Sequence, residues 1–278
     1  MSGLIVTTSW EGGHPLDSHL ADRLLAQALA ATFYVAPEFG ESRSGRRPDA
    51  GTVRELSRSF EIGSGALSNQ PLTEMTARRA RTEIADSRKV LADLTGTPVE
   101  TFRYPRGVFG GRHIDMVAAA GYRYARTSRR FVTTRPADPL QAPTTVEASD
   151  LSLRRDFLGY VSAARVVGSS SAVRTGHWDD IATAVFDRCH VTGGVFHLWG
   201  SSSSLERRSE MDRLVRVFEH IARRPGVQYV VNGELGLPVE VPDIEASTVA
   251  GRYLRPAINT RRSGHAWVVG SREARRVN

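Results

Sequence analysis

Leu4-Ile5-Val6-Thr7-Thr8-Ser9-Trp10-Glu11-Gly12-Gly13-His14-Pro15-Leu16-Asp17, continuing to Ala31-Thr32-Phe33-Tyr34-Val35, is the stretch whose reading decides the fold. Leu4 to Ser9 is a short, β-branched apolar run that breaks at a glycine pair, which predicts a strand running into a loop. Leu20, Leu24 and Ala28 fall on one i, i+4, i+8 stripe, so Leu16 to Ala31 is expected to be helical. Thr32 to Val35 is a second strand, stopped by Pro37. A strand, a helix and a strand in this short space form a parallel unit, because the chain must cross over to return in the same direction.

The alternation continues outward from that unit. Leu72 to Leu94 is predicted as a helix ended by Gly96 and Pro98, and Thr101 to Tyr104 as a strand cut by Pro105. A short helix at Ile114 to Ala120 leads to strands at Tyr122 to Thr127 and Gly194 to Gly200. A helix at Met211 to Arg223 and a last strand at Val227 to Val231 complete the pattern. Alternation of this kind points to a parallel α/β barrel, with its chemistry on loops at the C-terminal strand ends. The barrel is assigned to residues 1–238. Residues 239–278 are an extension with seven arginines against four acids. Tyr253, Leu254, Trp267, Val268 and Val269 are too apolar for a purely solvated tail. They are expected to pack on the barrel or on a second subunit, giving a homo-oligomer.

Composition narrows the classes. The chain has 278 residues, 40% of them apolar, and a formal charge of +7 carried almost wholly by arginine, since Lys89 is the single lysine. A basic balance raises the question of nucleic acid. However, no basic helix interleaved with aromatics and no zinc-finger or homeodomain spacing is present, so nucleic acid is not expected as a partner. No apolar run reaches the ~18 residues of a membrane helix, and Met1 to Ser9 lacks the marks of a signal peptide, which gives a cytoplasmic expectation. Cys189 stands alone, ruling out an internal disulfide or a cysteine metal cluster.

Five segments, in order, carry a resemblance. They are Thr8 to Asp17 with Ala31 to Val35; Phe60-Glu61-Ile62-Gly63-Ser64-Gly65-Ala66-Leu67-Ser68-Asn69-Gln70-Pro71-Leu72-Thr73; Phe102-Arg103-Tyr104-Pro105-Arg106-Gly107; Gly121 to Thr127; and Phe196-His197-Leu198-Trp199-Gly200. Together they resemble the polysaccharide deacetylases (NodB homology, carbohydrate esterase family 4). The resemblance implies a distorted (β/α) barrel of that type. It also implies metal-assisted amide hydrolysis, in which one Asp and two His hold a divalent ion, a neighbouring Asp is the base, a late His the acid, and an Arg orients the base.

Carried over residue by residue, the base becomes Glu11, the orienting arginine Arg103 and the acid His197. The metal Asp becomes Gly12, and the two metal histidines become Gly65 and Asn69. Glycine offers no side-chain ligand and a lone amide oxygen is a weak one, so neither a metal nor another cofactor is expected. Glu11, Arg103 and His197 are the expected catalytic set. His14, Asn69, Arg106 and Trp199 are the expected substrate contacts. Each has a plainer reading: His14 as loop structure, Arg106 as a solvated arginine, Trp199 as core rather than a sugar platform, and His197 as a satisfied core histidine.

Three functions remain open at this point. The first is a metal-independent acid/base enzyme performing elimination, isomerisation or cyclisation on a small polar or sugar-like metabolite. The second is a pseudoenzyme that binds a ligand or partner. The third is a residual N-deacetylase.

Overall fold

The opening run forms strand β1, Leu4–Glu11, and the following helix α1 spans Asp17–Ala26. The computed structural model describes residues 3–38, 48–150, 157–168 and 176–235. Strand β2, Ala31–Val35, pairs parallel with β1, as the strand–helix–strand reading requires. Next come α2 (Ala50–Leu56), β3 (Glu61–Ser64), α3 (Ala77–Thr95), β4 (Thr101–Arg103), α4 (Gly111–Ala119), β5 (Tyr124–Arg126) and β6 (Val146–Glu147). After them follow α5 (Phe157–Val167), α6 (Trp178–Thr192), β7 (Gly194–Ser201), α7 (Ser202–Arg207), α8 (Met211–Ile221), β8 (Val227–Tyr229) and α9 (Asn232–Leu235).

Local chemistry sets these bounds. The first helix stops at Ala26 rather than Ala31, because Ala28 takes a left-handed turn (φ +54°) that redirects the chain into β2. The helix expected from Leu72 is split. Leu72–Glu74 is a single 3-10 turn, and α3 begins at Ala77 behind Thr76, whose hydroxyl accepts from the Arg79 amide. Gly96 closes α3 in the left-handed conformation that favours glycine (φ +70°). Four helices, α2, α5, α7 and α9, lie in stretches where no helix was expected, and of α6 only the end, at Cys189, was expected. In α6, Trp178, Ile181, Ala182, Val185, Phe186 and Cys189 form a buried stripe, so Cys189 is the small core residue its isolation suggested.

The strands run in the order β5-β4-β3-β2-β1-β7-β6, every pair parallel, with β8 laid beside the first half of β1. A single bridge from Arg126 to Ala142 carries the sheet round toward β6. This is the distorted (β/α) barrel architecture. Leu4, Val6 and Trp10 on β1 face outward, and Trp10 meets Phe218 of α8 edge-on at 5.9 Å. Ile5, Thr7, Ser9 and Glu11 therefore face the lumen, by the two-residue alternation of a strand. At the lower end Leu235 joins Ile5, Tyr124, Ala142 and Val195 in a small apolar plug.

No helix among the described residues is long and apolar enough to cross a membrane. The extension 239–278, with the packing and oligomer expected of it, lies outside the described residues.

Candidate functional site

Glu11 ends β1 on the lumen side, level with Tyr34 of β2 and Ser201 of β7. Its carboxylate is half-exposed and stands 3.6 Å from Nη1 of Arg103, which is buried. Arg103 reaches this point from the end of β4 and, through Nη2, donates to Oδ1 of Asn69 at 2.8 Å. Asn69 sits in the loop after β3 with φ +57°, a conformation asparagine tolerates better than most residues.

Glycine at position 65 is what allows this geometry. A Cβ there would lie 2.8 Å from Arg103 Nη2, so the guanidinium fills the space a side chain would need. At Gly12 a Cβ would come within 2.9 Å of the Phe33 Cβ, so β2 packs against bare backbone. Arg103 thus joins Glu11, its expected partner in the catalytic set, to Asn69, expected only as a substrate contact.

Trp199 is on the lumen face of β7, level with Glu147 of β6. Glu11, Glu147 and Trp199 line one cleft of about 360 Å³, with Ser149, Ser201 and Ser204 beside them and Arg207 and Arg208 on its rim. Glu147 is a second carboxylate that motif reading missed. It pairs with Arg130 at 3.3 Å, and burial raises its pKa above the ordinary range, the arginines nearby opposing the shift.

Arg126 was also missed, although it lies in one of the resembling segments. It is fully buried in the lumen, 4.4 Å over the Trp199 ring and 5.4 Å from that of Tyr34. Burial, then the neighbouring Arg103, pulls its pKa down to about 10, so it remains protonated at neutral pH. The three-residue β5 is too short for the sequence pattern to show that an arginine faces inward.

The structure does not bring His197 to Glu11. His197 is level with Thr7, four residues below the pairing of Glu11 with Ser201, or roughly 13 Å down the barrel. It is buried, its Nε2 is 2.8 Å from Ser9 Oγ, and its Nδ1 faces the Pro143 carbonyl without a well-formed hydrogen bond. Burial and the Arg126 charge hold its pKa well below the usual value, so it is neutral. His14 is used locally: Nδ1 accepts from the Leu16 amide, and its own amide donates to the buried Asp17. Arg106 is exposed on a left-handed turn after β4 (φ +53°).

The polysaccharide deacetylase family model matches residues 7–125. Over that segment, under half of the chain, the sequence is similar to the polysaccharide deacetylase family. The deacetylase segment runs from β1 to β5 and so contains Glu11, Arg103 and Asn69, whereas Glu147 and Trp199 lie beyond it.

A candidate polysaccharide deacetylase from Mycobacterium smegmatis superposes with a TM-score of 0.60 at 14% identity, over 94% of this chain and 95% of that one. A family 4 acetyl xylan esterase from Clostridium thermocellum, solved with a cobalt ion, gives 0.50 at 17% identity, over 83% and 89% of the two chains. The deacetylase PplD of Streptococcus pyogenes aligns with a TM-score of 0.44 at 14% identity, over 49% of this chain, which spans 62% of that protein. Identities this low establish a common fold. No curated protein sequence matches the chain.

Proposed function

We propose that this deacetylase-fold protein is a metal-independent acid/base enzyme acting on a small polar metabolite in the cleft beside Glu11. The observation that carries the reading is the placement of Arg103. The positions corresponding to the family's metal ligands are Gly12, Gly65 and Asn69. A side chain at the first would strike Phe33, the guanidinium of Arg103 fills the place of a side chain at the second, and the amide oxygen of the third already accepts from Arg103. These residues do not fit an Asp-His-His metal set. Arg103 packs its guanidinium against the second and third of these positions.

The chemistry follows from the groups in the cleft. Glu11, half-exposed, is the proton acceptor. Arg103 behind it orients its carboxylate and offers positive charge to an oxyanion that develops on proton removal. Glu147 faces the same cleft, and its raised pKa suits it to carry or return a proton. His197, sunk below this level, supports Ser9 and the barrel wall.

The test is carbon–hydrogen exchange in D2O, followed by NMR over a panel of small hydroxy acids and amino sugars with EDTA present. The expected result is exchange that survives the chelator and falls by roughly 10²-fold or more in Glu11→Gln. Chelator-sensitive acetate release from N-acetylglucosamine oligomers would restore the deacetylase reading instead.

A further inference from the structure

The cleft around Glu11 holds more positive charge than its own chemistry requires. Behind its lining are the guanidiniums of Arg103 and Arg126, both over nine-tenths buried, the first beside Glu11 and the second on the Trp199 ring. Arg130 borders it through Glu147, and Arg207 and Arg208 stand on the rim. Against them are Glu11, Glu147 and Glu210, the last held by Arg208 at 3.3 Å. The local balance is positive.

The donors are also incompletely used. Nε of Arg103, Nε of Arg126 and Nε1 of Trp199 are buried and have no hydrogen-bond partner among the described residues. These three N–H groups come from adjacent lumen positions: Arg103 and Arg126 are paired across β4 and β5, and the Arg126 guanidinium lies on the Trp199 ring. A buried donor without a partner is costly, and several together in one place mark a site completed by an acceptor.

We infer that the cleft binds a small oxyanion-bearing molecule, a carboxylate or a phosphate, with the anionic group directed to the Arg103–Arg126–Trp199 donors. This rests on the acid/base reading and gives it a substrate class. An anionic substrate places negative charge next to Arg103, where it also offsets the charge that builds as Glu11 takes a proton.

The probes are malonate and inorganic phosphate, with glucosamine as a cationic comparison, titrated into the full chain at constant ionic strength. The readout is the ¹H–¹⁵N signal of the Trp199 indole, assigned through Trp199→Phe, together with the arginine Nε–H signals. A saturable downfield shift is expected with at least one oxyanion, at a Kd about tenfold or more below that of glucosamine. Whichever of the two binds more tightly identifies the source of the anion.

Arg126→Lys keeps the charge and removes the Nε donor, and is expected to weaken binding by about tenfold. Glu11→Gln, which removes the competing carboxylate, should tighten it. Arg208→Gln is on the exposed rim and should weaken it about threefold, which keeps the test decisive if Arg126→Lys does not fold. Absence of saturation at about 50 mM of either anion, preference for glucosamine, or affinities that both arginine substitutions leave unchanged would overturn the proposal. Loss of anion binding with Glu11-dependent exchange intact removes the ligand class alone. Intact anion binding without exchange removes the acid/base reading alone.

Discussion

Two polar regions inside the same barrel are built on opposite terms. In the lower one, Asn232 accepts from the Thr7 hydroxyl, donates to the Tyr34 hydroxyl, and through its amide donates to Thr32. Beside it Glu61 accepts from Thr32 and from the Gly233 amide. In the upper one, Arg103, Arg126 and Trp199 each leave a buried N–H without a partner among the described residues. Two hydroxyls of the lower region, those of Thr101 and Tyr124, also have no hydrogen-bond partner among the described residues, so that network is satisfied around Asn232 and Glu61 rather than throughout. A satisfied network fixes structure, whereas a group of unsatisfied donors is tolerated where function needs it. The lower region holds the C-terminal end of the barrel in place, and the upper one is the proposed site.

If that division is right, substitutions in the two regions separate stability from binding. The largest effect is expected from Asn232→Ala, which leaves the Thr7 and Tyr34 hydroxyls buried without their partner and should cost about 3 kcal/mol. Thermal unfolding is the check, and oxyanion binding by the remaining folded protein should be unchanged. A loss below about 0.5 kcal/mol would mean that the lower network is not structural.

Glu61 sharpens the comparison through pH. Burial, opposed by its hydrogen bonds to Thr32 and Gly233, raises its pKa to about 7. The folded state therefore holds this proton more tightly than the unfolded chain. The resulting stability is present below the ordinary glutamate range and is lost as pH rises through about 7. Between about pH 5 and about pH 8 wild type should lose about 2 kcal/mol more than Glu61→Gln, measured by denaturant unfolding. Parallel pH profiles for the two proteins would refute this.

The smallest change in stability is expected in the upper region. Arg103→Met replaces a buried cation, whose partners are exposed Asn69 and half-exposed Glu11, by an apolar chain of similar length. Its stability should stay within about 1 kcal/mol of wild type or rise slightly. Its oxyanion binding and Glu11-dependent exchange should both be lost. A large drop in stability with function intact would reverse the roles assigned to the two regions.

How far the sequence could be read follows the same line. The β-branched and glycine punctuation of Leu4 to Gly13 and of Ala31 to Val35 predicted β1 and β2 closely, because local preference and burial agree there. The motif positions gave Glu11, Arg103 and Asn69 singly, but the set they were expected to form, Glu11 with Arg103 and His197, is not assembled. The extent of the helix at Trp178–Thr192, expected only as a helix end at Cys189, escaped notice because its apolar stripe is interrupted by Asp179, Asp180 and Asp187, two of which form ion pairs with Arg213 and His220.

The depth of a side chain within the lumen was not legible. His197 and Glu11 both lie on lumen-facing positions, and only the register of β7 against β1 puts one four residues below the other. Glu147 and Arg126 entered the site by the same register, from strands of two and three residues too short for a periodic signal.

The central claim, that Gly12, Gly65 and Asn69, with Arg103 packed against the last two, do not hold a metal, is tested most directly by metal content. Full-length protein is dialysed against zinc, cobalt, manganese or nickel, exchanged into metal-free buffer, and analysed for bound metal beside Asn69→Ala. The expected result is well under one ion per chain in both proteins. Close to one ion per chain in wild type, lost in Asn69→Ala, would contradict it.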